Sequence, residues 1–138
     1  MAKQREQIKI IVADDIPKFI VGIKMFIEDQ LNYNVIGEAA NGLVLVSHPL
    51  LMDADIILID CEMPVMNGIE AAKRVNYKFP DKKMIAITMY QEKVYLNDLI
   101  CAGFKGYVYK PDIVEKLGIV IKNVLNNEFD FTNDLNIA

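Results

Sequence analysis

Ile56-Ile57-Leu58-Ile59-Asp60 is a run of β-branched and aliphatic residues that stops on a carboxylate. A short continuous apolar run of this kind reads as a strand buried on both faces, the pattern of a parallel sheet covered by helices. A second run nearer the start, Ile8-Lys9-Ile10-Ile11-Val12-Ala13, ends in the same way, on Asp14-Asp15. In open parallel sheets ligands bind beyond the carboxyl ends of the strands, so these acids converge on one site. Clustered carboxylates repel and raise one another's pKa unless a cation neutralises them. An all-oxygen set of that charge suits a hard divalent ion such as Mg²⁺.

Working outward, strand and helix patterns alternate to the end of the chain. Pro17 stands in the first turn of a helix whose apolar face is Phe19, Ile20, Ile23 and Ile27. Val35-Ile36 is a short strand and Asn41-Gly42 a turn. Asn67 with Glu70, and Asp112 with Glu115, have the spacing of capping boxes; Glu70 also sits one helical turn before Arg74. Lys83 to Thr88 reads as a strand, Glu92 to Ala102 as a helix stopped by Gly103, and Gly106 to Tyr109 as a strand. The last helix carries Val114, Leu117, Val120, Ile121 and Val124. Between Gly42 and Asp55 the pattern is irregular, because Leu43-Val44-Leu45-Val46 is apolar all round and Pro49 falls where a helix interior belongs. That segment is either a short, distorted helix or one whose outer face is covered. The alternation predicts a doubly wound α/β fold, a five-stranded parallel sheet of flavodoxin-like order 2-1-3-4-5 with helices on both faces.

With 138 residues, 53% of them hydrophobic, the chain fits one domain: residues 1–138 with a core of about 8–127, and 128–138 as a C-terminal tail or the start of a linker. A net charge of −4 with scattered Lys and Arg gives no basic patch for nucleic acid. Cys61 and Cys101 have neither metal-ligand spacing nor a disulfide framework, and no secretory signal or membrane span is evident, so the cytoplasm is expected. Cys61 has no basic sequence neighbour that would make it a redox sensor, and the lone His48 beside Pro49 reads as a surface residue. Thr88 and Lys110, each at a strand end, add a hydroxyl and an ammonium able to contact phosphoryl oxygens beside a metal. Taken singly, an acid after a strand is more often a helix cap and Tyr107 a core residue. In combination they outline a phosphoryl-acceptor site with Asp60 as nucleophile.

Asp14-Asp15, Asp60 within Leu58-Ile59-Asp60-Cys61-Glu62-Met63-Pro64-Val65-Met66-Asn67-Gly68, Thr88, and Gly106-Tyr107-Val108-Tyr109-Lys110-Pro111 stand in the order of the response-regulator receiver family of two-component signalling, which the chain resembles from residue 8 to about 127. Ala13-Asp14-Asp15-Ile16-Pro17, Gly37-Glu38-Ala39-Ala40-Asn41-Gly42 and Ile87-Thr88-Met89 further resemble its NarL/LuxR-type subgroup. The resemblance implies that Asp60 accepts a phosphoryl group from a sensor histidine kinase. It implies that Asp15, the Asp60 carboxylate and the Glu62 main-chain carbonyl bind Mg²⁺, with Asp14 assisting through water. Thr88 and Lys110 would hold the phosphoryl oxygens, Tyr107 would turn inward as Thr88 moves, and the Lys110–Pro111 bond would be cis. It further implies a protein with slow self-dephosphorylation rather than a metabolic enzyme, a possible phosphorylation-dependent homodimer, no membrane partner, and DNA contact only through an output domain that this stretch does not include. Two rivals remain: a receiver-like protein that signals by contact alone, and an aspartyl-phosphate phosphohydrolase of the haloacid-dehalogenase type. The latter needs an aspartate two residues after the nucleophile, where Glu62 stands.

Overall fold

A computed structural model describes residues 7–131. Its elements are β1 (Lys9–Ala13), α1 (Pro17–Asp29), β2 (Asn34–Ala39), α2 (Gly42–Val46), β3 (Ile56–Asp60), α3 (Gly68–Lys78), β4 (Lys83–Thr88), α4 (Lys93–Ala102), β5 (Gly106–Tyr109) and α5 (Ile113–Leu125). Short 3-10 turns at Leu51–Asp53 and Lys110–Asp112 lead into β3 and α5. All strand pairs are parallel, in the order β2-β1-β3-β4-β5. This is the doubly wound sheet that the alternating pattern predicts.

Because side chains alternate along a strand, each central strand feeds two cores. Ile11, Ala13, Ile57, Ile59, Met84, Ala86 and Tyr107 pack with Leu45 of α2, Ala71 and Val75 of α3, and Leu96 and Leu99 of α4. Ile10, Val12, Ile56, Leu58, Ile85, Ile87 and Val108 pack with Ile20, Ile23 and Ile27 of α1 and Leu117, Val120, Ile121 and Val124 of α5. Val114, counted on the apolar face of α5 by its spacing, is exposed, and Ile113 packs against that core instead.

Cap geometry separates the capping patterns that form from those that do not. Asn41 and Asn67 are extended, and their Oδ1 atoms accept from Val44 N and Glu70 N at 2.9 Å. Asn41 thus opens α2 as well as turning the chain. Glu70 turns away to Arg74, 3.3 Å off, so only half of that box is made. Asp112 makes no cap bond; the 3-10 turn that ends on it runs straight into α5 and leaves it at φ −100°, ψ 16° instead of the extended geometry a cap needs. The described residues contain no cis peptide bond, so the expected cis Lys110–Pro111 is trans. A trans bond lets Pro111 occupy the first turn of the 3-10 helix, where its missing N–H is not needed. The irregular second helix is the short one: it stops at Val46, and Ser47 Oγ bonds back to the Leu43 carbonyl at 3.1 Å before Pro49. Leu43 and Val44 stay exposed. His48 is half-buried rather than on the surface, with its Nδ1 accepting from Leu50 N and its ring against Gly37.

The loop after β3 folds back tightly on the strand it leaves. Gly68 N bonds the Cys61 carbonyl at 3.0 Å, and a Cβ on Gly68 would overlap the Asp60 carbonyl. Gly22, exposed within α1, has open space where its Cβ would be. Gly68→Ala is therefore expected to destabilise by roughly 2–3 kcal/mol through overpacking. Gly22→Ala should stabilise by about 0.5–1 kcal/mol by restoring helix propensity. Urea melts of the two variants check both signs.

Candidate functional site

The ends of β1, β3 and β4 are built alike. Asp14 Oδ1 accepts from Ile16 N at 2.8 Å, Asp60 Oδ1 from Glu62 N at 3.2 Å, and Thr88 Oγ1 from Tyr90 N at 3.0 Å. Each side chain satisfies the backbone N–H two residues on, a local turn that Asp and Thr make readily. The bond orients the side chain and leaves the other carboxylate oxygen, or the hydroxyl proton, for the site. Neither acid caps α1, whose N-cap is Ile16 with no side-chain bond. The helix-cap reading of Asp14-Asp15 therefore fails.

The fold brings Asp14, Asp15 and Asp60 together, with one oxygen from each lying within 4.8 Å of the others. Asp14 and Asp60 are buried and Asp15 is exposed. From the start of the turn after β5, Lys110 Nζ reaches Asp14 Oδ2 at 3.0 Å and Asp60 Oδ2 at 3.4 Å. The same ammonium lies 4.3 Å from the centroid of the Phe19 ring. Repulsion within the cluster is thus partly relieved by the protein itself, a role the sequence suggested for a metal alone. Both oxygens of Asp14 are engaged, by Ile16 N and by Lys110. Asp15 is the acid left facing solvent.

Burial first, and the Asp14 carboxylate second, push the Asp60 carboxyl up to about 6, while the Glu62 N–H and the Lys110 charge pull against them. Burial alone would lower the Lys110 ammonium, but its bonds and charges with Asp14 and Asp60 outweigh this and raise it. Cys61 is pushed up to about 12, chiefly by burial, so its thiol is inert at neutral pH. The all-oxygen donor set, open on the Asp15 side, fits a hard divalent cation.

Two site residues escaped the sequence reading. The spacing of Phe19 marks only the apolar face of α1, yet its ring lies under the Lys110 ammonium. Tyr95 of α4 helps to wall the opening beside Asp15, Cys61 and Glu62 and packs against Tyr90 with ring centroids 5.2 Å apart; burial first, and the neighbouring Cys61 thiol second, push its phenol up. Its spacing with Leu96 and Leu99 marks a helix and nothing more. Tyr107 is wholly buried, and the ring of Phe131 stacks on it at 6.1 Å and 17°.

Residues 10–122 match the model of the response regulator receiver domain. The chain belongs to that family. Similar curated proteins include the transcriptional regulatory protein YdfI of Bacillus subtilis, 38% identical over 109 residues, covering 79% of this chain and 51% of that one. The oxygen regulatory protein NreC of Staphylococcus epidermidis is 30% identical over 121 residues, covering 87% and 56%. This receiver thus spans about half the length of the curated relatives it matches. Among solved structures, a LuxR-family two-component response regulator from Aurantimonas superposes with a TM-score of 0.86 at 25% identity, covering 94% of this chain and 93% of that one. The LuxR-type likeness of the motifs thus has a counterpart in the fold. Among the described residues no helix is long and apolar enough to cross a membrane.

The raised Asp60 carboxyl has a thermodynamic consequence in the metal-free receiver. Its folded-state pKa, about 6, lies above the unfolded value, so the folded state holds the proton more tightly. The associated stability is fully present below pH ~4 and lost as pH rises through about 6. In chelator, Asp60→Asn should therefore gain on the parent by on the order of 1–3 kcal/mol between pH ~4 and ~7. Denaturant melts across that range check it; a constant gap would show that Asp60 titrates normally.

Proposed function

We propose that Asp60 is the phosphoryl acceptor of this receiver. The observation that carries the reading is the convergence of Lys110 on Asp14 and Asp60, beside a third carboxylate and within reach of open solvent. A carboxylate oxygen of Asp60 attacks the phosphorus of a phosphohistidine on a sensor kinase. The P–N bond breaks, its electron pair returns to the imidazole, and an acyl phosphate forms. Asp15, the Asp60 carboxylate and the Glu62 main-chain carbonyl would hold Mg²⁺, with Asp14 acting through water. Once bound, Mg²⁺ supplies neutralisation of charge on the phosphoryl oxygens. Lys110, kept protonated by its two acids, swings one bond from Asp60 to a phosphoryl oxygen, and the Thr88 hydroxyl donates to another. Release is by slow attack of water, so the domain acts as a timed switch of the cytoplasm rather than a turnover enzyme.

Output follows from the added charge. A phosphoryl group brings about 1.5 to 2 negative charges to the end of β3. Drawing Thr88 toward it moves the end of β4 and frees space for Tyr107, so the face made by α4, β5 and α5 reports the state of the site. Phosphorylation-dependent self-association through that face is the response we favour. Contact with DNA would pass through an output domain of the whole protein.

Incubation with Mg²⁺ and acetyl phosphate or phosphoramidate should add one phosphoryl group, read by intact mass, and Asp60→Asn should take none. Full labelling of Asp60→Asn would remove Asp60 as the acceptor. Moving a two-state switch from mostly off to mostly on takes about 5.5 kcal/mol of differential stabilisation. One charge-assisted hydrogen bond supplies roughly 1.5–3 kcal/mol, so neither Thr88 nor Lys110 suffices alone. Thr88→Ala and Lys110→Ala should each uncouple self-association from labelling, measured by sedimentation of samples labelled to the same extent.

A further inference from the structure

Beyond α5, residues 126–131 stay against the body of the domain. Asn127 adopts φ 66°, and Glu128 N bonds the Asn123 carbonyl at 2.9 Å, which turns the chain back along the sheet. Asp130 then forms a parallel bridge with Gly106: Asp130 N donates to the Lys105 carbonyl at 3.0 Å, and Tyr107 N donates to the Asp130 carbonyl at 3.2 Å. The Asp130 side chain is buried and accepts from Asn123 Nδ2 at 2.9 Å. Phe131, one residue on, lies flat over Tyr107. Residues 128–131 are thus a built strap along the outer edge of β5, holding Tyr107 by its backbone and by its ring at once.

We propose that this strap is an autoinhibitory contact: it clamps Tyr107 in the resting arrangement and covers the β5 edge, so that phosphorylation must loosen it before the α4-β5-α5 face can signal. The inference rests on the reading of Asp60 as acceptor and of Tyr107 as the responding ring. Its physical basis is that the ring cannot move independently of the strap. Any displacement of Tyr107 breaks the stack with Phe131, and any shift of β5 strains the two backbone bonds to Asp130. The strap closes over a site in which Lys110 is still bonded to Asp14 and Asp60. A contact made in the resting state alone opposes activation, and by reciprocity activation opposes the contact.

The test is binding of beryllofluoride with Mg²⁺ to the full chain and to Phe131→Ala and Asp130→Ala, with amide exchange at Tyr107 followed in each. Both variants should bind beryllofluoride about fivefold or more tightly than the parent, the low end of typical coupling. In the parent, beryllofluoride should speed exchange of the Tyr107 amide, whose acceptor is the Asp130 carbonyl. Affinities within twofold of the parent, or weaker, would overturn the strap as a restraint while leaving Asp60 as acceptor untouched. Failure of the parent itself to take up beryllofluoride would instead sink the phosphoryl reading, and the strap's role with it. Two variants guard against misfolding, since Phe131→Ala removes the stack and leaves the buried Asn123–Asp130 bond in place.

Discussion

One ammonium held between two buried carboxylates joins three strand ends of this sheet. Lys110 enters from β5, Asp14 from β1 and Asp60 from β3, and the contacts of 3.0 and 3.4 Å fix their relative positions. Such a cluster adds little net stability, because desolvation of its charges roughly cancels their attraction. Removing Lys110 is another matter, since the buried carboxylates it leaves stranded cost about 3–5 kcal/mol. The cluster therefore specifies geometry more than it stabilises the fold. It also stores a competition: the same ammonium that quiets the acids at rest is the group proposed to meet a phosphoryl oxygen, so the resting bonds set a threshold for the switch.

The local turns at the strand ends make that competition sharp. Asp14, Asp60 and Thr88 each spend one acceptor on the backbone N–H two residues ahead. Their rotamers are thereby held before any ligand arrives, which limits the reorganisation a reaction must undergo. Tyr95 adds a contact from the side of α4, since its ring packs on Tyr90, whose N–H is the partner of the Thr88 hydroxyl. The Cys61 thiol next to Asp60 is a buried packing element, consistent with its raised pKa.

Much of this was legible in the chain because buried parallel strands are nearly continuous apolar runs. The runs ending on Asp14, Asp60 and Thr88 place the site without reference to side-chain contacts, and β4 and β5 fall where the pattern puts them. What stayed hidden depends on side-chain direction and on backbone geometry at element ends. Asn67 and Asp112 have the same capping pattern, and only the extended backbone of the first makes the bond. Pro111 is trans because it belongs to a helical turn, a fact its Lys-Pro dipeptide does not encode. Phe129 and Phe131, read as part of a tail or linker, contact Lys105 and Tyr107 across the sheet edge, where no periodicity reports them.

The strap also bears on a problem that every open sheet has. An outer strand presents unpaired N–H and C=O groups that can template pairing with another chain. On β5 and the residue before it, the Tyr107 N–H and the Lys105 carbonyl are both taken by Asp130. Edge protection of this kind uses backbone groups alone and would be served by any residue at position 131. The stack of Phe131 on Tyr107 is a separate, side-chain contact added to the same segment. The two contacts use different atoms of one four-residue segment, so closing the edge and restraining the ring are coupled: a strap loosened at Phe131 and Asp130 also uncovers the Tyr107 N–H and the Lys105 carbonyl.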